Sequence, residues 1–137
     1  MIFTPNGFLK IGGVVLILVA ILGFAHVIGP TADASVFGTA WWFDNGENWA
    51  HLVLGVVGLI AAFSFPAGIQ KSLVVLLGVV GVLIGLYSIF NQSFLGANLE
   101  NPADTILHLA VGAWALIAAF KKPSMMGSMP SGGMPQM

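Results

Sequence analysis

Four long apolar runs divide the chain, and its polar residues collect between them. The runs cover about residues 8–29, 48–65, 72–90 and 103–120. Each is near the ~20 residues a helix needs to cross a hydrocarbon core. None carries a charge in its middle third. They are continuously apolar rather than alternating, which predicts helices and not barrel strands. Pro30, Pro66 and the pair Lys121-Lys122 predict where the first, second and fourth runs stop. The second and fourth are short, so nearly upright helices or locally thin lipid are expected. The expected fold class is all-α: a four-helix transmembrane bundle over residues 1–122, then a flexible Met, Gly, Pro and Ser tail over 123–137.

Composition narrows the function. Of 137 residues 58% are apolar and 7% charged, against roughly 25% charged in an ordinary soluble domain. So few charges cannot cover the surface of a small soluble domain. A soluble enzyme is excluded, as is a nucleic-acid binder, which needs a basic patch. With no cysteine there is no disulfide, thiolate metal site or Cys nucleophile.

The placement of the charges predicts a topology. Lys10, Lys71, Lys121 and Lys122 all fall on one side if the chain crosses four times. Asp33, Asp44, Glu47, Glu100 and Asp104 all fall on the other. The positive-inside bias then makes both termini cytoplasmic in a plasma (inner) membrane. Ala32-Asp33-Ala34 resembles a signal-peptidase site, but the run before it is longer than a signal core, so the first span is read as retained. The aromatic outer connection, with Phe37, Trp41, Trp42 and Phe43, reads as an interfacial segment. A partner-binding or pigment-contacting surface is the sharper reading. The five Met of the tail suit Cu(I), but they have no His or Cys beside them, so an unstructured tail is preferred.

The chain also repeats itself. Residues 51–63, HLVLGVVGLIAAF, align without a gap on residues 108–120, HLAVGAWALIAAF, with eight of thirteen positions identical. Upstream, Glu47 aligns with Asp104 and Asp44 with Asn101. Gly13-Val-Val and Gly78-Val-Val align the other two spans more weakly. Two similar helical hairpins in parallel orientation are expected. The pattern Asn101-Pro102-Ala103-Asp104-Thr105-Ile106-Leu107-His108-Leu109, followed by Gly112, resembles the last span of a bacterial family of small four-span membrane proteins catalogued as a domain of unknown function. Asn48-Trp49-Ala50-His51-Leu52, with Gly55, is similar to that family's second span. The resemblance covers about residues 8–120 and implies a four-helix membrane fold, a bacterial membrane and no assigned activity. The Trp41-Trp42 connection and the tail depart from it.

Chemistry concentrates at the outer helix ends. Glu47 and His51 are four residues apart and share a helix face, as do Asp104 and His108. Asp44 and Asn101 stand three residues before those acids, the spacing of a capping box. Below the His residues run Gly55 and Gly58 in one span and Gly112 in the other, with Gly78, Gly81 and Gly85 on the third span. Small residues at this spacing let helices approach closely in lipid. His26 is expected at a similar depth. The simplest reading is that the His residues hydrogen-bond within the bundle and lock the hairpins together. A second is a divalent metal held by His26, Glu47, His51, Asp104 and His108. A third is axial ligation of haem or a chlorophyll-type pigment by His51 and His108, with the small residues leaving room for a flat ring. Proton carriage in a small transporter is the last, and no midplane ionisable group supports it. No His-Glu-x-x-His, Gly-x-Ser-x-Gly or phosphate loop is present. The expected function is non-enzymatic: a structural or accessory subunit packing in the bilayer, alone, with itself or beside a larger complex. The alternative is a His-ligated cofactor protein.

Overall fold

In a computed structural model, residues 1–122 are described; the Met-rich tail lies outside them. Four α-helices carry the chain: α1 Pro5–Phe24, α2 Asn45–Ser64, α3 Ala67–Ser88 and α4 Ala103–Phe120. All four are long and apolar enough to cross a membrane. Among the described residues the regular structure is thus helical apart from one small hairpin, β1 Ser93–Phe94 with β2 Ala97–Asn98.

Local chemistry sets the helix ends. Thr4 caps α1, its hydroxyl accepting the Gly7 N–H at 3.1 Å, and Pro5 takes the first turn, where a missing N–H costs nothing. This start is three residues before the apolar run predicts. The end is earlier too, at Phe24 instead of 29. Val27 and Ile28 both donate their N–H back to the Leu22 carbonyl, and His26 turns the chain at φ 61°. Past the helix end Ile28 is buried and pairs with Ser35, while Ala25, His26 and Val27 are exposed. Helix α2 opens on a complete capping box. The Asp44 carboxylate accepts the Glu47 N–H at 2.9 Å, and the Glu47 carboxylate accepts the Asp44 N–H at 3.2 Å.

Two expectations fail here. Lys71, placed by the run boundaries in the short connection between the second and third spans, is instead helical: α3 begins at Ala67 behind Pro66, which leaves Phe65 and Pro66 as the whole connection. Pro66 both ends α2 and opens α3. Asn101 is not a cap: its side chain donates to the Ile89 carbonyl at 3.4 Å. Pro102 holds the N-cap position of α4 without a side-chain bond. Asp104 instead reaches back and accepts the Glu100 N–H at 2.7 Å.

Helix α1 packs on α2, and α3 packs on α4. Glycine makes both approaches. A Cβ on Gly55 would stand 2.8 Å from the Gly13 carbonyl oxygen; one on Gly112 would stand 2.9 Å from that of Gly78. The same pair of contacts therefore recurs in the two halves. One turn or more further out, Gly23 packs against buried Asn48, and Ser88 meets Thr105 at 2.6 Å. Gly81 and Gly85 also touch α4 closely. Gly58 is different, since a Cβ there would meet its nearest neighbour at an ordinary 3.6 Å.

The interior is uneven. At the lysine end all four helices contribute to one packed cluster: Phe8 and Leu9, Ala61 and Ala62, Val74, Ala115, Ala118 and Ala119. Asn6 and Gln70 satisfy the Ala62 and Phe65 carbonyls there. Lys10 lies over Phe63, Lys71 over Phe120 and Lys121 over Phe3, so these cations share one end. Toward the other end the packing opens.

Candidate functional site

At the acidic end the 31–44 segment is held by side chains rather than by regular structure. Two 3-10 turns, Ala32–Ala34 and Gly38–Ala40, fold it back, and the Ser35 hydroxyl donates to the Trp41 carbonyl at 2.7 Å. The segment does not simply lie along an interface, because Trp41 crosses to the other half. Its indole N–H donates to the Asp104 carboxylate at 3.0 Å. Asp44 makes the converse link, accepting the Asn98 N–H at 2.6 Å. Phe43 and Leu99 are buried between the two connections.

Below this cover lies a cavity of about 300 Å³, lined by Val15, Leu16 and Val19 of α1, by His51, by Leu107, His108 and Val111 of α4, and roofed by Trp41, Phe43 and Asp104. A second lobe of about 180 Å³ continues toward the packed core and shares Val15, Leu16, His51, His108 and Val111 with the first. The two repeated histidines thus stand at one waist of a cleft between the halves of the molecule. The larger lobe is in the size range of small-molecule sites, and its walls are apolar except at the imidazoles and Asp104.

The two imidazoles are not equivalent. His108 Nδ1 lies 2.8 Å from the Asp104 backbone carbonyl. A carbonyl only accepts, so Nδ1 carries the hydrogen, and in the neutral ring Nε2 keeps a free lone pair on the far side from its own helix. His51 packs edge-on to Phe43, with ring centroids 5.1 Å apart. Its Nδ1 is buried and has no partner among the described residues. An unpaired buried nitrogen costs about 1–3 kcal/mol. The simplest expectation, that each His bonds within the bundle, holds in its hydrogen-bond part for His108 and not for His51.

Asp104 is 1% exposed, one oxygen accepting the Trp41 indole N–H and the other the Glu100 N–H. Glu47 is buried in its capping box. Glu100, outside the helices, accepts from the Asn98 amide. Burial, and then the Asp104 carboxyl beside it, push the Glu100 carboxyl up from 4.5 to about 7.

His26 does not join this site. It is exposed on the turn that ends α1. The five side chains expected to share a metal are therefore not assembled: among the described residues no group of three or more His, Asp or Glu could hold an ion. The residues missed by the sequence reading are Trp41 and Phe43, taken there as interfacial, and Val15, Leu16 and Val111, indistinguishable in one dimension from lipid-facing residues. Comparison with protein-family models, curated proteins and solved structures gives no match.

Proposed function

We propose that this chain is a non-enzymatic, multi-pass protein of a bacterial plasma membrane that holds an apolar molecule in the cleft between two similar hairpins. Both termini are cytoplasmic in this reading. His51 and His108 are the polar contacts. The observation that carries it is an apolar cavity of about 300 Å³ between the halves, lined by both repeated histidines.

The test is a search for the occupant. Protein purified from native membranes in mild detergent is extracted with organic solvent and analysed by mass spectrometry, absorption spectroscopy and metal analysis. A bound molecule is expected, lost when Val111→Trp fills the cleft. An empty extract, with no uptake of added apolar probes, would sink the reading. The same spectrum tests haem or a chlorophyll-type pigment on these two imidazoles.

A second reading, as an accessory subunit beside a larger complex, has its own support. Phe90 is 85% and Leu95 94% exposed, both beyond the end of α3. Crosslinking in native membranes from these positions tests it; a strictly monomeric, partnerless protein would count against it.

A further inference from the structure

We infer that the molecule held in the cleft is a neutral, lipid-dissolved alcohol or phenol, whose hydroxyl donates a hydrogen bond to the histidine pair. This rests on the cleft-binding reading above and adds the chemical class of the occupant.

Three observations carry it. The first is the route of entry. Val15, Leu107 and Val111 line the cavity and are also 49%, 41% and 45% exposed on the apolar flank. The cleft therefore opens sideways between α1 and α4, toward lipid, while Trp41 and Phe43 roof its outer end. An occupant arrives from the bilayer and needs an apolar body.

The second is the valence left over. Each Asp104 oxygen already accepts one N–H, and the Trp41 indole gives its only N–H to one of them. His108 donates its Nδ1 hydrogen to the Asp104 carbonyl, so in the neutral ring it offers the cleft the Nε2 lone pair. That nitrogen calls for a donor. A ketone, an ester or an ether has none to give; a hydroxyl has one, and its oxygen can in turn accept a hydrogen from His51.

The third is charge. Asp104 roofs the cleft, and the Glu100 backbone N–H donates to its carboxylate. Lys10, Lys71 and Lys121 are at the opposite end of the helices. An anionic head would stand beside the Asp104 carboxylate, far from these lysines. This disfavours fatty acids and the carboxylate-bearing haem. The remaining chemistry is shared by isoprenoid or polycyclic alcohols and by reduced quinones.

The experiment compares matched probes on the full chain in detergent micelles, by ligand-induced thermal stabilisation. Farnesol is set against farnesyl methyl ether and farnesoic acid, and decyl-benzoquinol against decyl-benzoquinone. The hydroxyl compounds are expected to bind about tenfold more tightly than the ether or the quinone, the value of one hydrogen bond. The acid is expected not to bind. His108→Phe, or His51→Phe if that variant fails to fold, should bring alcohol and ether to equal affinity. Equal binding of alcohol and ether to the wild type would overturn the hydroxyl inference and leave the cleft reading standing. Preferred binding of the acid would do the same. Failure of every probe, with nothing in the organic extract, would overturn both. If the hydroxyl compounds win, the mass of the native occupant decides between an alcohol and a quinol.

Discussion

The Asp104 carboxylate spends one oxygen on the Trp41 indole and the other on the Glu100 amide, wholly out of solvent. Asp104→Asn must set an NH2 against one of those two N–H groups. The expected cost is about 1–3 kcal/mol, read as a lower unfolding midpoint in detergent. Asp33→Asn, at an exposed position, is expected to stay within about 0.5 kcal/mol. Glu100 adds a pH dependence. Its folded carboxyl sits near 7, against 4.5 when unconstrained. The folded state therefore binds more protons between those values. The contribution of Glu100 to stability is full below 4.5 and is lost as pH rises toward about 7. Melting curves from pH 4 to 8 should show this decline, and Glu100→Gln should flatten it. A wild type whose midpoint rises steadily through that window would contradict it. At this scale the acid and His pairs were legible, because i and i+4 share a helix face. Which acid bonds which half was not: Trp41 and Asp104 are 63 residues apart, and Asp44 and Asn98 are 54 apart.

Between helices, close approach is decided glycine by glycine. A Cβ on Gly112 would stand 2.8 Å from the Val82 amide nitrogen, and backbone cannot yield as a side-chain end can. Gly112→Ala should force α3 and α4 apart, at about 1–3 kcal/mol. Gly55→Ala should do the same to α1 and α2, since its Cβ would stand 3.1 Å from the Ile17 nitrogen. Gly58→Ala, with nothing nearer than 3.6 Å, is expected to be nearly neutral. Thermal unfolding of the three variants checks the order, and a Gly58→Ala loss equal to that of Gly112→Ala would refute it. The stripe of small residues was visible in the sequence, but its members are unequal. Gly58 lies on the stripe without a close backbone partner, whereas Gly13, named only for the repeat, and Gly23, not named at all, do have tight contacts. The short hairpin was also unforeseen. Its turn places Leu95 at φ 52° and Gly96 at φ 87°, and a leucine is not the residue that signals such a turn.

Across the whole molecule, the lysines gather at one end and the carboxylates at the other. With no native cysteine, sidedness is directly measurable. Leu95→Cys should react with a membrane-impermeant maleimide in intact cells once the outer membrane is permeabilised, where one is present. Lys122→Cys should react only after lysis. The reverse pattern would invert the proposed topology. The molecule is also packed at the lysine end and hollow toward the acidic end, where the connections and not the helices close it. Replacing Trp41 by Ala should therefore loosen the roof and speed exchange of a cleft-bound probe, measurable by dilution into probe-free detergent.

The four apolar helices long enough to span a membrane, and the charge segregation, were determined by the sequence alone. A helix in lipid must satisfy its own backbone, so twenty apolar residues in a row have one stable answer. The capping box at Asp44 and Glu47 was equally local, built from two residues one turn apart. Only the tertiary structure decided that His26 stands outside, that His51 keeps an unpaired nitrogen, and that Trp41 and Phe43 roof a cavity. The reason is physical. Apolar side chains facing lipid and apolar side chains facing a cavity have the same chemistry, and only the arrangement of distant helices tells them apart.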